Sequence, residues 1–187
     1  MVGPDGDDVL APVGAWFGPA LTTVGVVVAV AAVSWVAGHV HPDHTLHQVA
    51  LFAHLASLTI GFGAVLAVDW VALLWLLQRR TLADVLGAAG NAHAPAWVGY
   101  AGLTLSGMLL EPDLSDPLTQ AKVALVVLIG WNGVAAALLQ RWLSRVAAGA
   151  RPGEGMSQRR LLACACSGAV SQLGWWGAML IGFLNGR

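Results

Sequence analysis

Five long apolar stretches, separated by shorter polar segments, run along the whole chain and predict membrane-spanning helices. They cover residues 16–38, 49–77, 96–110, 118–139 and 161–184. Crossing a hydrocarbon core of about 30 Å takes roughly 20 residues at 1.5 Å per residue, which most of these stretches approach. We therefore expect an all-α integral membrane protein, with residues 1–187 forming a single membrane domain built as a bundle of about five transmembrane helices.

The lengths and connections of these stretches predict further detail. The second stretch is longer than one crossing requires, so we expect its helix to tilt or to extend past the membrane. Residues 81–94 are mixed in polarity and contain glycine, which predicts a connecting segment. Pro95 is then expected in the first turn of the third helix, where proline is well tolerated.

The composition favours a membrane protein and argues against nucleic acid as a partner. Hydrophobic residues make up 57% of the chain and charged residues 10%, with a mean hydropathy of +0.71, whereas soluble domains carry about 25% charged residues. Nine Lys and Arg residues and a net charge of −1 provide no basic surface for nucleic acid. The lipid bilayer is the expected partner. The first fifteen residues contain no Lys or Arg, so we expect no cleaved signal peptide.

The arginines predict the orientation of the chain. They concentrate in the second-to-third and fourth-to-fifth connections, at Arg79, Arg80, Arg141, Arg145, Arg151, Arg159 and Arg160. By the positive-inside rule, both connections lie in the cytoplasm of a multi-pass protein of the cell (inner) membrane. The N-terminus is then cytoplasmic. The C-terminus, the histidine-containing segment 39–47 and the acidic segment 111–117 lie outside.

Four ionisable residues within or beside the apolar stretches are candidates for function, because such groups are costly in lipid. His54 and Lys122 both lie one to two turns inside helices that enter from the outside, so they share a depth and are expected in one outer pocket. Asp69 is about 22 Å deeper on a similar face of the same helix as His54. His93 lies near the cytoplasmic end, so Asp69 and His93 form an inner polar level, a candidate ion pathway.

Each of these residues also has a purely structural interpretation. Lys122 can extend to the interface or pair with the acidic residues Glu111, Asp113 and Asp116. His54 and Asp69 can make hydrogen bonds between helices, and His93 can be an ordinary interfacial histidine. Glycines and small residues recur in the stretches, and close helix packing in lipid is sufficient to explain them.

A histidine-rich segment follows the first apolar stretch and is a candidate metal site. It reads HVHPDHTLH and carries His39, His41, His44 and His47. Neutral imidazole is a good ligand for zinc, copper or nickel, so a divalent transition metal is the expected ion. A solvent-exposed turn without a metal is the alternative.

Short motifs in the middle of the chain resemble a known membrane protein family. AHLASLTIGFG around His54, the glycine-rich GLTLSGMLL, and AKVALVVLIGWNG around Lys122 are similar to segments of the HemJ-type protoporphyrinogen oxidases and related CopD-like proteins. The resemblance covers the second to fourth stretches. It implies a haem-associated protein in which His54 is a haem ligand and Lys122 the helix-opening lysine. The chain departs from the pattern at Asn132, where a second histidine is expected, and at Asp69, which has no counterpart.

Three functions follow as hypotheses from the sequence. The first is a noncatalytic helical subunit that packs in a larger membrane complex or forms a homo-oligomer, for which the glycine-rich helix faces suffice. The second is a haem-associated or redox membrane protein, with His54 and Lys122 as cofactor-binding residues. The third is a protein that handles transition metals or transports ions. The sequence assigns no catalytic residue.

Overall fold

A computed structural model describes residues 14–149 and 157–185, with side chains for residues 20–145 and 157–185. These residues contain five α-helices and no strand, which confirms the all-α class. The helices are α1 (Gly14–Ala37), α2 (His44–Leu76), α3 (Leu82–Met108), α4 (Pro117–Gly149) and α5 (Gln158–Asn185). In the described part of the chain, three segments are long and apolar enough to cross a membrane: Ala20–Ala37, His44–Leu76 and Pro117–Arg145.

Side-chain caps define where α2 and α4 begin. The Asp43 carboxylate accepts a hydrogen bond from the backbone N–H of Leu46 at 2.7 Å and so caps α2. Asp116 does the same for α4 by accepting from the N–H of Thr119 at 2.9 Å, with Pro117 as the first helical residue. Such caps satisfy N–H groups that have no partner within the helix, and proline suits a position where no donor is needed.

The end of α2 requires a left-handed backbone at a residue other than glycine. Gln78 has φ 59°, and its N–H donates to the Trp75 carbonyl at 2.9 Å. The N–H of Arg79 donates to the Leu74 carbonyl at 2.8 Å. This pair of bonds is a Schellman motif, in which glycine normally occupies the position of Gln78. The helix therefore stops here at the cost of a strained residue.

The helices alternate in direction, so their ends meet at two opposite levels. α2 packs on α3, α4 packs on α5, and α1 packs on α3 and α4. At one level, which we call the histidine end, His41 Nδ1 lies 3.5 Å from a carboxylate oxygen of Glu111. At the same end, Asn185 Nδ2 donates to Asp116 Oδ2 at 3.0 Å and links the last turn of α5 to the start of α4.

The opposite level, which we call the arginine end, joins the other helix termini. The Arg160 guanidinium lies 5.1 Å from the ring centroid of Trp142, a distance at which a cation attracts the aromatic face. Gln140 Nε2 also donates to the Leu86 carbonyl at 3.4 Å, which connects α4 to the first turns of α3. The two levels are thus fixed by separate contacts.

Small residues set the close crossing of α2 and α3. A methyl group added at Gly99 would collide with the backbone of Gly61 and with the Ser57 carbonyl, and one added at Gly102 would collide with the Ser57 side chain. Beside this crossing, Phe62 stacks on Trp175 with ring centroids 5.5 Å apart. Both rings are buried. The sequence-based expectation of tight packing at small residues agrees with this geometry.

The prediction that residues 81–94 connect two helices is wrong. α3 begins at Leu82 and runs through Pro95, which lies inside the helix rather than in its first turn. A capping box starts it: Thr81 Oγ1 accepts from Asp84 N–H at 3.2 Å, and Asp84 Oδ2 accepts from Thr81 N–H at 2.8 Å. Alanines favour helix in the turns that follow. Proline inside the helix removes one backbone bond, a defect that membrane helices tolerate.

Candidate functional site: two cavities in the bundle

The bundle contains a large, mostly apolar cavity towards the histidine end. We call it the Lys122 cavity. It has a volume of about 500 Å³, and all five helices contribute to its wall. His54 from α2 and Lys122 from α4 both line this cavity. The sequence predicted that these two residues lie at one depth, and in the structure they line one cavity. Its size falls within the roughly 300–1,000 Å³ typical of small-molecule sites.

Hydrogen bonds orient the His54 ring. Its Nδ1 lies 3.0 Å from Ser106 Oγ, and Ser106 Oγ lies 2.5 Å from the Gly102 carbonyl oxygen. A carbonyl only accepts, so the Ser106 hydroxyl proton points to Gly102 and its oxygen accepts from His54 Nδ1–H. In the neutral imidazole, Nε2 then carries the lone pair. That nitrogen is the one available to bind iron or to accept a proton.

Lys122 brings a positive charge to this cavity. Among the described residues, its ammonium group makes no ion pair or hydrogen bond. The alternative in which Lys122 pairs with the acidic connection gains no support, and each carboxylate there has another partner. Asp113 accepts from Ser115, Asp116 accepts from Thr119 and Asn185, and Glu111 faces His41. The Nζ atom instead lies next to Gly182, which has no side chain to fill the space.

The Lys122 cavity therefore has a definite chemical character. A positive charge and an oriented imidazole face a volume whose other walls are largely aliphatic and aromatic. An anion with a large apolar body would satisfy both features, because its charge pairs with Lys122 and its body replaces lipid or water against the walls.

A second, smaller cavity lies towards the arginine end. We call it the Asp69 cavity. Its volume is about 230 Å³, and both Asp69 and His93 line it, as expected for an inner polar level. Gln172 Nε2 donates to Asp69 Oδ2, and Trp176 Nε1 donates to Gln172 Oε1 at 2.9 Å. Asp69 thus points into the bundle and is held by α5, while His93 is exposed at the rim.

The Asp69 cavity contains an amide and hydroxyl pair that sequence reasoning missed. Asn132 Nδ2 donates to the Ser167 carbonyl at 3.0 Å, and the Ser167 hydroxyl donates to Asn132 Oδ1 at 3.2 Å. Asn132, which stands where the family pattern has a histidine, therefore joins α4 to α5. The polar residues Gln172 and Ser167 inside an apolar stretch were the signals that could have identified these partners.

Three side chains separate the two cavities. Tyr100, Ile129 and Trp175 line both. The Tyr100 hydroxyl donates to the Val126 carbonyl at 3.1 Å, which fixes the phenol in the partition. His54 and His93 accordingly belong to different cavities, and a single haem held between these two histidines does not fit the fold.

The four histidines of the proposed metal segment do not converge. His39 Nδ1 bonds the Trp35 carbonyl at 2.8 Å, His41 faces Glu111, and His44 and His47 lie in the first turn of α2 rather than in a loop. Within the described ranges, no three His, Cys, Asp or Glu side chains are grouped as a metal site. Metal binding by this segment gains no support and stays a prediction.

Comparison of the chain with protein-family models, with curated proteins and with solved structures found no match. The resemblance to the HemJ-type and CopD-like proteins therefore rests on the short motifs alone.

Proposed function

We propose that all five helices span the membrane, with the arginine end in the cytoplasm. The alternating helix directions, the three strongly apolar helices and the arginine distribution support this orientation. Single cysteines at Thr45 and Gln158 test it with a thiol reagent that does not cross membranes. We expect the first to react only from outside and the second only from inside. Reaction of both from one side would contradict the proposal.

We further propose that the protein binds an amphiphilic anion of the tetrapyrrole carboxylate class, such as haem, in the Lys122 cavity. The observation that carries the proposal is the Lys122 ammonium, which has no partner among the described residues and shares an apolar cavity of about 500 Å³ with an oriented imidazole. A cavity for a purely apolar ligand would need no such cation. The family resemblance agrees with this ligand class.

The donor set suits haem, and each side chain has a separate task. His54 Nε2 would hold the iron, Ser106 keeps the ring in the required tautomer, and the Lys122 ammonium would bind a propionate. Bound haem would supply one-electron chemistry. The protein itself supplies orientation, one positive charge and walls that exclude water.

Titration of the detergent-purified protein with haem tests the proposal by absorption spectroscopy. We expect a Soret band characteristic of histidine ligation. His54→Ala should lose that spectrum, and Ser106→Ala should weaken binding about tenfold, because partners of a ligating histidine typically contribute 10–100-fold. His44→Ala, which removes an exposed histidine from the same helix, is the control and should bind normally. Retention of the wild-type spectrum by His54→Ala would contradict the assignment.

The other two hypotheses stay predictions of the sequence. No contact among the described residues favours a noncatalytic subunit of a larger complex, and the histidine segment brings no metal ligands together.

A further inference from the structure

The Asp69 cavity differs from the Lys122 cavity in the sign of its charge. Among the residues that the structure describes, Asp69 is its only carboxylate, and no Lys or Arg lines it. The Lys122 cavity has the reverse composition, since its described wall contains one ammonium group and no Asp or Glu. Since a ligand must complement the charge that it meets, the two cavities select for ligands of opposite charge.

The Asp69 carboxylate retains capacity to bind. Its Oδ2 accepts from Gln172, and no described residue donates to Oδ1. Asn132 and Ser167 satisfy each other, so they do not compete for Asp69. A carboxylate has room for several hydrogen bonds, and one oxygen here is open to a donor from a ligand.

The rest of the wall decides which kind of cation fits. The rings of Trp97, Tyr100 and Trp175 line the cavity, and Trp97 and Tyr100 meet edge to face with centroids 5.5 Å apart. Aromatic faces attract weakly hydrated organic cations. A hard metal ion instead needs about six oxygen ligands, which this largely apolar wall does not provide.

We propose that the Asp69 cavity binds a small organic ammonium ion, with the charge against the Asp69 carboxylate and the alkyl groups against the aromatic rings. The volume of about 230 Å³ limits the ligand to a compact cation. His93, which is exposed, also lines the cavity. This site is independent of tetrapyrrole binding, because it uses another cavity with the opposite charge.

Choline and its neutral analogue 3,3-dimethylbutan-1-ol provide a test that needs no variant. Both are titrated by calorimetry into the full chain in dodecyl maltoside, a detergent without a choline headgroup. The two probes share shape and differ in charge. We expect choline to bind at least about tenfold more tightly, since it gains both the ion pair and the cation–π contact. Equal affinities, or binding of neither probe, would overturn the proposal.

Asp69→Asn tests the assigned residue, because the amide oxygen can still accept from Gln172 while the charge is lost. We expect this variant to lose most of the preference for choline and to keep only the smaller part that the cation–π contact contributes. Asp43→Asn makes the same change at the exposed cap of α2, where asparagine caps as well as aspartate, and should bind choline normally. A folded Asp69→Asn protein that keeps the full wild-type preference for choline would refute the assignment. If that variant does not fold, the two-probe comparison on the wild-type protein decides.

Discussion

Replacement of Gly99 by alanine is the most direct probe of the α2–α3 crossing. An added Cβ would lie 2.6 Å from the Ser57 carbonyl oxygen and still closer to backbone atoms of Gly61. These are backbone atoms, so no side-chain rotation relieves the collision and the helices must separate. Forcing an extra methyl group into a packed interface typically costs about 1–3 kcal/mol.

Alanine substitutions at two other glycines provide comparisons for the loss of stability expected in Gly99→Ala. Gly87 lies in the same helix with nothing within 4 Å of an added Cβ, so Gly87→Ala should stabilise α3 by about 0.5–1 kcal/mol through reduced backbone entropy. At Gly61 the closest atom is Gly99 Cα at 3.0 Å, so Gly61→Ala should fall in between. The expected order of stability is Gly87→Ala, wild type, Gly61→Ala, Gly99→Ala, with the last about 1–2 kcal/mol below wild type.

Reversible unfolding in mixed micelles of dodecyl maltoside and SDS, followed by far-ultraviolet circular dichroism, measures this order. Only relative free energies are needed, since all variants share one unfolded reference state. If Gly99→Ala were as stable as Gly87→Ala, α2 and α3 would not approach each other as closely as described.

Three further predictions concern helix ends, and the same unfolding assay checks each. Gln78→Gly should stabilise the protein by about 1 kcal/mol, because glycine adopts the left-handed backbone at that position without strain; no gain would argue against the Schellman end. Asp116→Ala should destabilise it by about 1 kcal/mol through loss of the α4 cap, whereas Asp116→Asn should keep most of the stability. Hydrogen bonds from the Thr119 N–H, and then from Asn185, lower the pKa of the half-buried Asp116 below its ordinary 3.8. Its contribution is therefore present at neutral pH and lost as the pH falls below about 4, so Asp116→Asn should show a weaker acid dependence.

The depth of the polar residues could be predicted from sequence, but their partners could not. The number of residues between a helix entrance and a side chain fixes depth, which is why His54 and Lys122 were expected at one level and Asp69 at another. Partners depend on how each helix is rotated against its neighbours. Ser106 and Gln172 belong to other helices, and apolar periodicity does not define a rotation when lipid surrounds an apolar helix.

The predicted starts of α3 and α2 were wrong because capping side chains nearby begin each helix at an earlier residue. Pro95 suggested a helix start, yet the capping box at Thr81 and Asp84 begins α3 earlier and the helix continues through the proline. The polar character of segment 39–47 suggested a loop, yet the Asp43 cap places its last residues in α2. In both cases, hydrogen bonding to unpaired backbone N–H groups determines the boundary.

In the proposed site, Lys122 binds the carboxylate of an amphiphilic ligand in the cavity that it shares with His54. The affinities of haem and of haem dimethyl ester are measured for the wild-type protein and for Lys122→Met. The ester removes the negative charges of the ligand's carboxylates. Methionine removes the positive charge of the lysine while keeping much of the side-chain volume. We expect esterification to weaken binding about tenfold or more in wild type and hardly at all in Lys122→Met. An equal loss in both proteins, or no loss in wild type, would contradict it.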